Sequence, residues 1–178
     1  MFNENSNVDT MGWEKYIQWS KLYQLSELVS LDAMLNETLV VPNRDNEKEW
    51  DYIEVEYGCE TGFFTSLDYV VEKMKGKNGF NLLAVARDPD SDCKSIEIEN
   101  FEFMGYDLIE MFSGISSLTN CGGFDDTFLA QELNQFGLIS EYGRVIEIRE
   151  NLLLNNPDEP HADTRAIAIW RHKYIGRV

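Results

Sequence analysis

Apolar positions along this chain recur in two rhythms, and the switches between them mark out its elements. From Trp13 to Leu35 they fall at Trp13, Tyr16, Ile17, Leu22, Leu25, Leu28, Val29 and Leu35, a helical i, i+3, i+4 pattern with polar residues between. This predicts one long helix or two short ones, the latter broken near Ser30-Leu31-Asp32, and Pro42 forbids helix beyond Val41. Tyr52 to Tyr57 alternates Ile53, Val55 and Tyr57 against Tyr52, Glu54 and Glu56, which predicts a half-buried strand. Ser66 then precedes Leu67, Val70, Val71 and Met74, with Gly76 as the stop, so cap, period and terminator agree on a helix. Phe80 to Arg87 is apolar on both faces and ends in Asp88-Pro89-Asp90, a strand followed by a turn.

In Ser95 to Met104 the strand rhythm returns, but the apolar set changes phase between Ile98 and Phe101, so a bulge or bend is expected near Asn100. After Gly105 small and polar residues dominate as far as Gly123 and read as loop. Asp125 or Asp126 can cap a helix carrying Leu129, Leu133 and Phe136, stopped by Gly137. Ser140 opens another, with Val145, Ile148 and Leu152 as its buried stripe and Asn155-Asn156-Pro157 as its end. Thr164 to Trp170, apolar on both faces, is expected in the sheet interior, as is Phe80 to Arg87. Helices and strands in this irregular order predict a single α+β domain over residues 1–178, a mostly antiparallel sheet packed with helices. Residues 1–10, polar and acidic, read as a disordered tail.

Charge sharpens this picture more than composition does. The chain of 178 residues has 15 Lys and Arg against 32 Asp and Glu, a net charge of -17. Such a field repels phosphate backbones and anionic bilayers, which argues against nucleic-acid and membrane partners. No secretory leader is evident at the start, and no apolar run approaches the roughly 18 residues a membrane helix needs. Three cysteines, Cys59, Cys93 and Cys121, fit neither a disulfide framework nor a zinc ribbon, and imply free thiols in a reducing cytoplasm. The acids are also unevenly placed. From Ser95 to Gly143 there is no Lys or Arg, while Glu97, Glu99, Glu102, Asp107, Glu110, Asp125, Asp126, Glu132 and Glu141 all fall there. A solvated, solubilising surface is one reading of that run; a docking face for a cationic partner is the other.

Candidate chemistry is sparse. Cys121, in Thr119-Asn120-Cys121-Gly122-Gly123 and just ahead of an expected helix, is a possible nucleophile if His161 serves as base and Asp163 orients it. The alternative is a tight glycine turn around a small buried cysteine. Asp158-Glu159-Pro160-His161-Ala162-Asp163 has oxygen and nitrogen donors, yet lacks any metal-binding spacing and reads as a solvated loop. Dinucleotide, Walker and nucleophile-elbow glycine motifs are absent, so neither cofactor nor metal is expected. The N-terminal aromatics Trp13, Tyr16, Trp19 and Tyr23 read as core, with a protein-docking face as the other option.

The run Phe103-Met104-Gly105-Tyr106-Asp107-Leu108-Ile109, followed by Ser117-Leu118-Thr119-Asn120-Cys121-Gly122, resembles segments of small acidic bacterial immunity-type proteins, which neutralise toxins. The resemblance implies a non-enzymatic cytoplasmic inhibitor of one cognate toxin and transfers no functional residue. Charge points the same way, because a nuclease toxin is basic and an acidic protein can cover its surface. The expectation is therefore an acidic binding protein docking a basic protein partner, with a thiol-dependent enzyme as the alternative. The expected face comprises Glu97, Glu99, Asp107, Glu110, Asp125 and Asp126, with Tyr106 and Phe124 as exposed aromatic anchors.

Overall fold

The segment from Thr164 to His172 alternates small and large apolar residues, and both sets are buried. Such a strand needs cover on both faces. In the computed structural model, which describes residues 12–32, 67–73, 75, 81–111, 114–120, 127–159 and 162–175, it has that cover and takes the centre of the sheet formed by the described strands. The elements are α1 (Trp13–Ser20), α2 (Leu67–Lys73), β1 (Leu83–Arg87), β2 (Phe101–Glu110), a 3-10 turn at Ala130–Glu132, α3 (Tyr142–Asn155) and β3 (Thr164–His172). The strands form an antiparallel sheet of order β1-β3-β2, with Val85 opposite Ile169 and Tyr106 opposite Ala168. The fold is α+β, as expected.

The alternation of β3 sorts the core into two layers. Ala166, Ala168 and Trp170 face one cluster, which includes Val145, Ile148 and Leu152 of α3 and Tyr16 of α1. Ile167 and Ile169 face another, made by Val29, Met104 and Leu138. The three predicted core residues of α3 are all buried, because a 3.6-residue stripe is encoded locally.

Elsewhere tertiary contacts override the local pattern. β1, expected in the interior, is an edge of the sheet formed by the described strands. An apolar pattern on both sides reports cover of the two sheet faces and is silent about hydrogen-bonded neighbours. The predicted strand over Ser95 to Met104 begins only at Phe101; Ser95 to Asn100 forms turns, ended by Asn100 at φ 64°. The irregularity falls between Phe103 and Gly105 instead, and the strand runs on to Glu110 where loop was expected. Gly105 has φ 139°, and a Cβ there would stand 2.8 Å from Leu138 Cβ and 2.9 Å from the Ile139 carbonyl oxygen.

Helix α1 stops at Lys21, whose φ of 58° is left-handed. Leu22, Leu25 and Val29 are buried on an irregular segment, tied by Ser26 and Val29 N–H groups to the carbonyls of Gln135 and Phe136. Tyr16 is core, whereas Trp13, Trp19 and Tyr23 are exposed, so the all-core expectation for these aromatics holds for one of the four. The predicted helix through Leu129, Leu133 and Phe136 is replaced by the 3-10 turn and a tight turn. There the Asn134 side-chain oxygen accepts the N–H groups of Phe136 and Leu138, competing with helical bonding, and Gly137 takes φ 79°. The predicted helix over Ser66 to Gly76 is represented by α2. The expected tail over 1–10 and strand over Tyr52 to Tyr57 lie outside the described residues.

Candidate functional site

Strand β2 turns Asp107 toward the Met104 and Ile167 side of the sheet, where it is fully buried. A carboxylate without water needs protein donors, and the fold supplies three. The Leu108 N–H donates to Asp107 Oδ1 at 2.8 Å, and Ser116 Oγ donates to the same oxygen at 2.6 Å. Ser30 Oγ donates to Oδ2 at 2.7 Å. Ser116 is placed by the return of the chain after β2, where it bridges Ile109 and the Ser117 N–H donates to the Leu108 carbonyl.

A second buried carboxylate completes the arrangement. Asp32 Oδ2 accepts the Ser116 N–H at 2.7 Å and Asn120 Nδ2 at 2.9 Å, while the Asp32 N–H donates to Ser30 Oγ at 3.1 Å. Asp107, Ser116, Asp32 and Ser30 thus form a closed ring. Tyr16 from α1 covers it, donating its hydroxyl to the Thr119 carbonyl at 3.0 Å. Burial pushes the Asp107 carboxyl up to about 6; the Ser116, Ser30 and Leu108 donors pull against it, and the Asp32 charge adds to the rise. Burial likewise raises the Tyr16 phenol, with smaller contributions from Asp32 and Asp107. The ring can hold a proton. It offers no nucleophile to a substrate, because Ser116 is completely enclosed.

Three expected docking residues therefore belong to the interior, which corrects the sequence reading. Tyr106 and Asp107 are 0% exposed and Glu110 is 4% exposed. Around Asp107 both faces of β2 are covered, one by the α3 layer and the other by the 25–32 and 116–120 segments, so Asp107 and Glu110 are not solvated, whereas Glu102 near the start of the strand is partly exposed and pairs with Arg171. The Tyr106 hydroxyl donates to Asp92 Oδ1 at 2.6 Å and accepts the Cys93 N–H at 2.7 Å, which pins the loop over residues 88–100. Glu97 and Glu99 are exposed on that loop. Phe124, Asp125 and Asp126 lie outside the described residues, as do Cys121 and His161 of the alternative thiol site. Asp163, its third member, is exposed, and its backbone carbonyl accepts the Met111 N–H. Burial raises the Cys93 thiol, which disfavours the thiolate.

No protein-family model, curated protein or solved structure matches the chain. Function is read from the molecule's own surface.

The loop over residues 88–100 lies along α3. Tyr142 Oη donates to the Pro89 carbonyl at 2.7 Å, Lys94 pairs with Glu141 at 2.9 Å, and Arg149 pairs with Asp88 at 3.2 Å. Between Pro89 and Arg171 the chain has five basic residues, and each is engaged by an acid. Besides Lys94 and Arg149, Arg144 binds Glu132 and Glu147, Arg165 faces Asp88 at 3.6 Å, and Arg171 binds Glu27 and Glu102. Exposed Asp90, Glu97, Glu99, Glu150, Asp158 and Glu159 have no ion-pair partner among the described residues. Apolar side chains stand among them: Ile96 is 49% exposed beside Glu97, and Leu154 is 76% exposed at the end of α3. Among the described residues, no group of three or more His, Cys, Asp and Glu could hold a metal, and no helix is long and apolar enough to cross a membrane.

Proposed function

We propose that this chain is a non-enzymatic acidic binding protein, of immunity type, that docks a basic protein such as a toxin. The observation that supports it most is the charge balance of the surface formed by the 88–100 loop and α3. Its cations are already spent on local pairs, and its remaining exposed acids are left to act outward. A field of one sign raises the rate of encounter with an oppositely charged partner. Affinity needs a desolvated anchor as well, and Ile96, set between the loop acids and exposed, takes the place first assigned to Tyr106.

Partner capture from the native host, followed by association kinetics at rising salt, tests this reading. The expected partner is a basic protein whose association slows at least about tenfold between 0.05 M and 0.5 M salt, as the Debye length contracts. An acidic partner, a small metabolite, or an association rate indifferent to salt overturns the reading and leaves the acids as a solubilising surface.

A further inference from the structure

Independently of any docking partner, the buried ring has a geometry that solubility does not require. It joins β2, through Asp107, and the 116–120 segment that follows it, through Ser116 and Asn120, to the 30–32 segment, through Ser30 and Asp32, which lies more than 70 residues earlier in the chain. Two of its four members are carboxylates, and one serine bridges them, its hydroxyl on Asp107 and its N–H on Asp32.

The oxygens of Asp107 are unequal. Oδ1 receives the fixed Leu108 N–H and the Ser116 hydroxyl, so it has no room for a proton. Among the described residues Oδ2 meets Ser30 Oγ, a group that can donate or accept. A proton on Oδ2 turns that bond around: Asp107 donates, Ser30 Oγ accepts this proton together with the Asp32 N–H, and the Ser30 hydroxyl hydrogen turns away from Asp107.

The surrounding charges favour the protonated form. From the 30–32 segment the nearby charge is another carboxylate, Asp32, and from α1 the phenol of Tyr16, itself pushed up by burial, stays neutral and brings no charge. On β2 itself Glu110 lies, by alternation, on the opposite face. On β3 the residue paired with Asp107 is Ile167, and Arg165, two residues away on the same face, is directed to Asp88 at 3.6 Å.

We propose that the ring is a proton-operated clasp: protonated at Asp107 Oδ2 it holds the 30–32 and 116–120 segments against β2, and on losing that proton to solvent it loosens. The carboxyl of Asp107 is held near 6 in the closed ring and returns to its ordinary value of 3.8 when the ring opens. Opening therefore becomes about tenfold more frequent between pH 5 and pH 7.5.

Amide hydrogen exchange by NMR on the full chain, corrected for intrinsic base catalysis, tests the clasp. The N–H groups of Asp32, Ser116 and Leu118, which bond within the ring or beside it, are expected to lose protection about tenfold over that range, while β3 amides change less. Asp107→Asn, whose amide can donate to Ser30 as the protonated acid does, is expected to abolish the pH dependence and keep the ring closed. Ser30→Ala, which removes the hydroxyl through which Oδ2 holds the 30–32 segment, is expected to lower the protection of the Asp32 N–H and to make its change between pH 5 and pH 7.5 smaller than in the wild type. Equal pH profiles in the wild type and Asp107→Asn, or in the wild type and Ser30→Ala, overturn the proposal.

Discussion

Asp107 and Glu97 carry the same charge in the same cation-free stretch of sequence, ten residues apart, and the fold uses them in opposite ways. Asp107 is sealed inside the sheet and held by three donors. Glu97 lies exposed between two turns of the 88–100 loop, beside Ile96. A run of acids is thus two populations. One links segments of the chain and stores a proton; the other forms the molecule's outward field. The difference comes from donor supply: Ser30 reaches Asp107 from a distant segment and Ser116 from the chain's return after β2, and among the described residues no such groups converge on Glu97.

Reversing the two charges separates these roles by the widest margin. Asp107→Lys places an ammonium where three donors converge without water, and is expected to cost about 4 kcal/mol or more, enough to unfold a marginal domain. Glu97→Lys should change stability by less than about 0.5 kcal/mol. Urea denaturation followed by circular dichroism separates the two, and similar losses would erase the distinction. Ile169→Asp controls for burial alone: this central-strand side chain is wholly enclosed, and an unpaired carboxylate there should cost about 3 to 4 kcal/mol.

The bulge that aims Asp107 inward is tested by Gly105→Ala. Its Cβ would collide with Leu138 Cβ and the Ile139 carbonyl in a backbone conformation that suits glycine, so a loss of about 2 to 3 kcal/mol is expected in the same assay. A smaller effect follows from protonation. The folded state raises the Asp107 carboxyl from 3.8 to about 6, so it binds a proton more tightly than the unfolded chain does. Its contribution is therefore fully present below about pH 4 and is lost as pH rises through about 6. Relative to Asp107→Asn, the wild type should lose up to about 3 kcal/mol between pH 3.5 and pH 7, with no change expected if the carboxyl is solvated in the fold.

What the sequence disclosed follows the same division between local and distant causes. The stripe Val145, Ile148, Leu152 and the two-sided strand from Thr164 are written in neighbouring residues, and both were legible. The end of α1 and the turn at Asn134 to Gly137 were not. The segment following α1 docks onto the Gln135 and Phe136 carbonyls, and the Asn134 side chain takes N–H groups that a helix would have used. Phase counting found an irregularity in the β2 region but placed it near Asn100 rather than between Phe103 and Gly105, because the turns before Phe101 still carry alternating Ile and Glu. The burial of Asp107 was the largest omission. Its Ser30 donor lies 77 residues away, and the available signal was an acid between Tyr106 and Leu108, the one charged residue in the run Phe103 to Ile109.

We propose that the exposed acids, and not the buried ones, serve recognition. The most direct measurement is the association rate with the captured partner at about 0.05 M salt for Asp107→Asn and for the double reversal Glu97→Lys with Glu99→Lys. Removing the buried charge should leave the rate within about twofold of the wild type, whereas the double reversal should slow it about tenfold or more and flatten its salt dependence. An unchanged rate in the double reversal, or equal slowing in the two variants, would contradict the account.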